Sequence, residues 1–96
     1  MDMKNTLENP EKATIIDVRN EWEYGGGNVA GSINIPLHEL PARIGEIKNL
    51  NGPIILCCAS GNRSRQASLY LSQHGIGEVY DGGSWLEVNG MVAGTR

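Results

Sequence analysis

Two cysteines stand side by side at Cys57 and Cys58, and Arg63 and Ser64 follow them within a few residues. Neighbours in sequence cannot staple distant segments, so a structural disulfide framework is excluded. With no second cysteine pair or nearby histidine, the two thiols also fall short of a four-ligand zinc site. Nucleophilic chemistry remains, and its reactive form is the thiolate. At an ordinary pKa of about 8.5 only a few per cent of a cysteine is ionised at neutral pH. Lowering that value by about two units requires about 2.7 kcal/mol of selective stabilisation of the anion. A helix dipole supplies about 0.3–1 kcal/mol and at best about 2, so it needs help.

The stretch Cys58-Ala59-Ser60-Gly61-Asn62-Arg63-Ser64 offers that help. Gly61 permits a sharp turn, and successive backbone N–H groups can then point inward around an anion at a helix N-terminus. Arg63, if its side chain folds inward, and the hydroxyls of Ser60 and Ser64 are further donors. Cys57 ends the apolar run Ile54–Cys57 and reads as an inert core thiol, as most free cysteines are. Cys58 opens the glycine-containing loop and reads as the nucleophile.

The elements that must position this loop are legible in outline. Thr14–Val18 is a β-branched apolar run without helical spacing, which suits a buried parallel strand. Ser32–Ile35 is a second short strand ahead of Pro36. Leu37, Leu40, Ile44 and Ile47 recur at three- and four-residue steps and predict an amphipathic helix whose regular part starts near Pro41. Ile54–Cys57 predicts the central strand, and Arg63–His74 a helix with Ala67, Tyr70, Leu71 and His74 on one face. Glu78–Tyr80 is a further short strand, followed by Asp81-Gly82-Gly83 and a weak helical piece containing Trp85, Leu86 and Val88. Strands alternating with helices predict an α/β fold with a parallel sheet covered on both faces, and such sheets bind ligands at the carboxyl ends of their strands. The loop after Cys58 holds that position.

Composition narrows the function classes. A chain of 96 residues is expected to form one domain, with any site built into a single core. Its net charge of −3 provides no basic stripe for a phosphate backbone, so nucleic acid is not expected as a partner. No stretch approaches the ~18 apolar residues needed to span a bilayer, and Met1–Pro10 lacks the apolar middle of a signal peptide. These features predict a cytoplasmic protein with no membrane association. The 13 glycines, about twice the ~7% background, fit many short elements joined by tight turns.

The loop Cys58–Ser64 resembles the active-site loop of rhodanese domains, and the likeness extends beyond it. Ile16-Asp17-Val18-Arg19 with Glu21, Glu23 and Tyr24 resembles the first conserved segment of that family, and Ala30–Leu37 (AGSINIPL) its second. Val79–Trp85 (VYDGGSW) resembles its closing glycine-pair and tryptophan segment. The resemblance implies a rhodanese-like α/β fold over residues 1–96, with a mainly parallel sheet of about five strands and helices on both faces. It implies a sulfurtransferase in which Cys58 takes sulfane sulfur from a small anionic donor, thiosulfate or a persulfide, and gives it to a thiol or cyanide acceptor. A protein donor or acceptor would serve equally, and no metal or organic cofactor is needed. Cys58 and Arg63 would be catalytic, Ala59, Ser60, Gly61, Asn62, Arg63 and Ser64 would bind substrate, and Asp17, Arg19 and Trp85 would support them. Asp17 and Arg19 would brace neighbouring loops, with a plain surface ion pair as the alternative. Trp22 and Tyr24 are expected to pack in the core or at its rim, and His38 and His74 to be structural. The family's common glycine-histidine pair is here Gly27-Asn28.

Two other readings compete. Counted from Cys57, five residues precede Arg63, which fits the cysteine–arginine spacing of protein tyrosine phosphatases. Counted from Cys58 the interval is four, the shorter loop that relatives use for sulfur. A non-catalytic rhodanese-like module that binds a partner protein is the second alternative.

Overall fold

The computed structural model describes residues 13–50 and 52–94. Four parallel strands form one sheet: β1 (Thr14–Asp17), β2 (Ile33–Asn34), β3 (Ile54–Cys58) and β4 (Val79–Ser84), in the order β2-β1-β3-β4. The described residues thus hold four strands where about five were expected. Among the described residues five helices accompany the sheet: α1 (Glu21–Gly25), a 3₁₀ turn (Leu37–Glu39) leading into α2 (Leu40–Lys48), α3 (Asn62–Gln73) and α4 (Trp85–Gly94).

β3 is central because all five of its residues are buried and it pairs on both edges, with Thr14 opposite Ile54 on one side and Val79 opposite Ile54 on the other. Side chains alternate along a strand, so β3 feeds two cores. Ile54, Leu56 and Cys58 join Leu40, Ile47, Ala67 and Leu71 beneath α2 and α3. Ile55 and Cys57 join Ile15, Val29, Val88 and Val92 beneath α4. Both faces are therefore covered by helices, as the strand–helix alternation predicts.

The periodic helices appear where the sequence places them, with the start of α2 at Leu40 and α3 beginning one residue before Arg63. α4 is longer than the weak helical piece expected, because Val88 and Val92, one turn apart, both seat on the sheet. α1 was not foreseen. Its five residues carry no apolar period, yet Asn20 and Glu23 form a capping box in which the Glu23 carboxylate accepts the Asn20 N–H at 3.0 Å. Trp22 on that helix is 79% exposed and lies outside the core. Tyr24 instead anchors the following loop, its hydroxyl donating to the Ser32 carbonyl at 2.7 Å.

β4 departs from even pairing at a bulge. Leu56 pairs with Asp81 and Cys58 with Ser84, so β4 sets three residues against two of β3. Gly82 sits in the bulge for want of space: a Cβ there would lie 2.7 Å from Val88 Cγ2 and 2.9 Å from the Leu56 carbonyl. Asp81, in regular register opposite Leu56, faces α3, and Gly82, the next residue, faces α4.

Candidate active site

Cys58 is the last residue of β3, and the chain turns at once into α3. The turn is possible because Gly61 adopts φ +100°, a left-handed conformation that costs other residues about 1–2 kcal/mol. As a result two main-chain N–H groups converge on Cys58 Sγ, that of Gly61 at 2.9 Å and that of Ser64 at 3.3 Å. Ser64 Oγ stands 3.5 Å from the same sulfur. Residues 58 and 64 are both buried, with Ala59, Ser60 and Asn62 exposed above them as a rim.

Burial alone would push the Cys58 thiol up. The hydroxyl of Ser64 and the main-chain N–H groups of Ser64, Gly61 and Ser60 outweigh it by bonding the anion, and its pKa lies below the ordinary thiol value. Cys57, on the other face, has no such donors. Burial pushes its thiol up to about 12, with the charge of Asp17 adding to the shift and that of Arg19 opposing it. Residue 58 thus faces main-chain amides and residue 57 an apolar core.

Arg63 does not fold into the loop. Its two terminal nitrogens bind the Glu23 carboxylate at 2.6 and 2.9 Å, a bidentate pair reaching across 40 residues of chain. The guanidinium in turn holds the Glu23 carboxyl down to about 2. Two of the five guanidinium N–H groups are used this way, which leaves the others for an anion arriving at the rim. Glu23 was named among the resembling residues without a role. The signal for α1, an asparagine followed three residues later by glutamate, was present in the sequence.

Asp17 and Arg19 form a buried brace, not a surface ion pair. Arg19 Nε lies 3.0 Å from both Asp17 carboxylate oxygens and its Nη2 lies 2.8 Å from Oδ2, with the side chains 5% and 0% exposed. The guanidinium also donates to the carbonyls of Glu23 at 3.3 Å and Gly27 at 2.6 Å, and its carbon sits 4.8 Å from the centre of the Trp85 ring. Trp85 fills the space under Gly27, where an added Cβ would come within 3.0 Å of the ring. Asp17, Arg19 and Trp85 thus tie β1, α1 and the loop at Gly27 together. Asn28, at the departure from the family pattern, donates to the Tyr24 carbonyl at 2.9 Å and closes the same loop. His74 is exposed and stacks on Tyr70, and His38 is exposed beside Glu39.

One further carboxylate enters the site unannounced. Asp81 Oδ1 accepts the Ser64 hydroxyl at 2.6 Å and the Gly83 N–H at 3.1 Å.

A family model described as Rhodanese-like domain matches residues 2–85. The chain belongs to the rhodanese-like domain family. It is 40% identical over 70 residues to the uncharacterized protein YqhL of Bacillus subtilis, an alignment covering 73% of this chain and 55% of YqhL. It is 37% identical over 73 residues to the thiosulfate sulfurtransferase GlpE of Stutzerimonas stutzeri, covering 74% of this chain and 66% of GlpE. The chain therefore matches roughly half to two-thirds of the length of these relatives. Among solved structures, a rhodanese with anions from E. coli superposes with a TM-score of 0.70 at 35% identity, covering 78% of this chain and 89% of that one. A rhodanese-like fold is thereby shown, and no helix among the described residues is long and apolar enough to cross a membrane.

Proposed function

We propose that this rhodanese-like domain is a sulfurtransferase that carries sulfane sulfur as a persulfide on Cys58. The observation that supports this reading is the convergence of the Gly61 and Ser64 N–H groups on Cys58 Sγ, together with a thiol pKa held below its ordinary value. With thiosulfate as donor, the thiolate attacks the outer sulfur. The new S–S bond forms as the donor's own S–S bond breaks, and sulfite leaves with the electron pair. A thiol or cyanide acceptor, as its anion, then attacks the outer sulfur of the persulfide and returns Cys58 as a thiolate. Neither step calls for a general base, a metal or an organic cofactor. Main-chain donors that already face the sulfur need no reorganisation when charge develops on it.

Ala59, Ser60 and Asn62 form the rim that a donor meets, and Arg63, steadied by Glu23, has further guanidinium N–H groups beside it. Small anionic donors suit such a rim, and the name of GlpE makes thiosulfate the first donor to test. The phosphatase alternative requires Cys57 as nucleophile, and a thiol pushed up to about 12 in the core beneath α4 opposes it. The test is a thiosulfate-to-cyanide assay run beside a phosphatase assay on the wild type, Cys57→Ser and Cys58→Ser. Sulfur transfer is expected to vanish in Cys58→Ser and to persist in Cys57→Ser. Phosphatase turnover that depends on Cys57 would overturn the reading, and so would the absence of any added sulfur mass of about 32 Da after donor treatment.

A further inference from the structure

Ser64 has one hydroxyl hydrogen, and three acceptors surround it. Asp81 Oδ1 lies at 2.6 Å, the Gly61 carbonyl at 3.1 Å and Cys58 Sγ at 3.5 Å. A charged carboxylate at the shortest distance takes the hydrogen, since charge-assisted bonds are about twice as strong as neutral ones. Ser64 Oγ then presents its lone pairs to the sulfur and accepts the thiol S–H. A bond of that sense favours the neutral thiol. For Ser64 to help the thiolate, its hydrogen must leave Asp81, which keeps only the Gly83 N–H at 3.1 Å.

We propose that Asp81 is a positioning residue that steers the Ser64 hydroxyl hydrogen away from Cys58, so that this hydroxyl alternates with the charge on the sulfur. When the inner sulfur is neutral, as thiol or persulfide, the hydrogen lies on the Asp81 side. When Cys58 ionises, its S–H bond breaks, the electron pair stays on sulfur, the proton passes to solvent, and the hydroxyl turns to the anion. The main-chain N–H groups of Gly61 and Ser64 stay on the sulfur throughout. Asp81 reaches Ser64 because it pairs with Leu56 and so takes the face of the sheet that α3 covers.

Other charges border the site. Asp17 on β1 is neutralised by Arg19, and Glu23 on α1 by Arg63. The Glu87 carboxylate of α4 comes within 3.8 Å of the position a Cβ would take on Gly83. None of them bonds Ser64, so the direction of its hydrogen isolates Asp81. The proposal rests on Cys58 being the ionising thiol, and its test involves no sulfur transfer. Thiolate formation is followed by ultraviolet absorbance against pH in the full chain, for the wild type, Asp81→Asn, Asp81→Ala, Ser64→Ala and the Ser64→Ala/Asp81→Ala double variant. Both Asp81 variants are expected to titrate about one pH unit lower than the wild type, giving about tenfold more thiolate at a fixed pH below the midpoint. In the Ser64→Ala background the same substitution should move the midpoint far less. A midpoint that stays or rises in the Asp81 variants would overturn the proposal, because it would mark Asp81 as a brace whose loss loosens the loop. An equal shift with and without Ser64 would also overturn it, by showing the charge to act through space. Asp81→Asn keeps the shape of the side chain and its acceptor for Gly83, so its result stands if Asp81→Ala fails to fold. Loss of sulfur transfer with this titration pattern intact would count against the proposed function alone.

Discussion

Cys57 and Cys58 share a peptide bond and the same zero exposure, yet they occupy opposite chemical worlds. The alternation of β3 sends Cys57 into the aliphatic cluster under α4, where nothing bonds its sulfur and burial pushes its thiol up to about 12. Cys58 looks the other way, at the point where the strand stops and α3 begins, and the N–H groups that a helix start leaves unpaired converge on it. Burial raises both thiols, and only at Cys58 do hydrogen bonds outweigh it. The decisive quantity is how many donors face the sulfur, and that is set by strand parity and by one left-handed glycine.

The comparison breaks most completely at the sulfurs themselves. Cys58→Ser should eliminate persulfide formation while Cys57→Ser leaves it largely intact, as read by mass analysis of the peptide after donor treatment. Next in size is the buried brace behind the site. Removing one partner of a buried pair strands the other charge, so Asp17→Ala should destabilise the fold by about 3–5 kcal/mol in denaturant titration. A smaller loss is expected for Gly82→Ala, about 1–3 kcal/mol, because its Cβ would collide with Val88 and the Leu56 carbonyl. Gly61→Ala should cost about 1–2 kcal/mol of stability, and by disturbing the turn it should also move the Cys58 titration upward, with no change at Cys57.

The mildest perturbation is one of pH. Glu23 has a folded-state pKa depressed from 4.5 to about 2 by Arg63, so its pair contributes in full above about 4.5. That contribution is lost as pH falls from about 4.5 to about 2, where the folded carboxyl finally protonates. Acid unfolding of Glu23→Gln should lack that part of the wild-type slope.

The two strands and two helices nearest the site were legible because each has a strong local signature. Thr14–Ile16 and Ile54–Cys58 are unbroken β-branched or apolar runs, and α2 and α3 keep three- and four-residue apolar steps. The choice between Cys57 and Cys58 also followed from local order, strand before loop. The direction of Arg63 did not, because its partner Glu23 lies 40 residues away on a five-residue helix that carries no period. Asp81 escaped for a similar reason. Its contact with Ser64 depends on the register that sets Asp81 opposite Leu56, and register is a property of how β4 pairs with β3, which the sequence Val79–Ser84 does not express by itself.

The most direct test of the account is a thiolate titration of the wild type, Cys57→Ser and Cys58→Ser by ultraviolet absorbance. A single step below the ordinary thiol value should appear in the wild type, survive in Cys57→Ser and disappear in Cys58→Ser. A step that survives in Cys58→Ser, or a wild type with no step below that value, would contradict it.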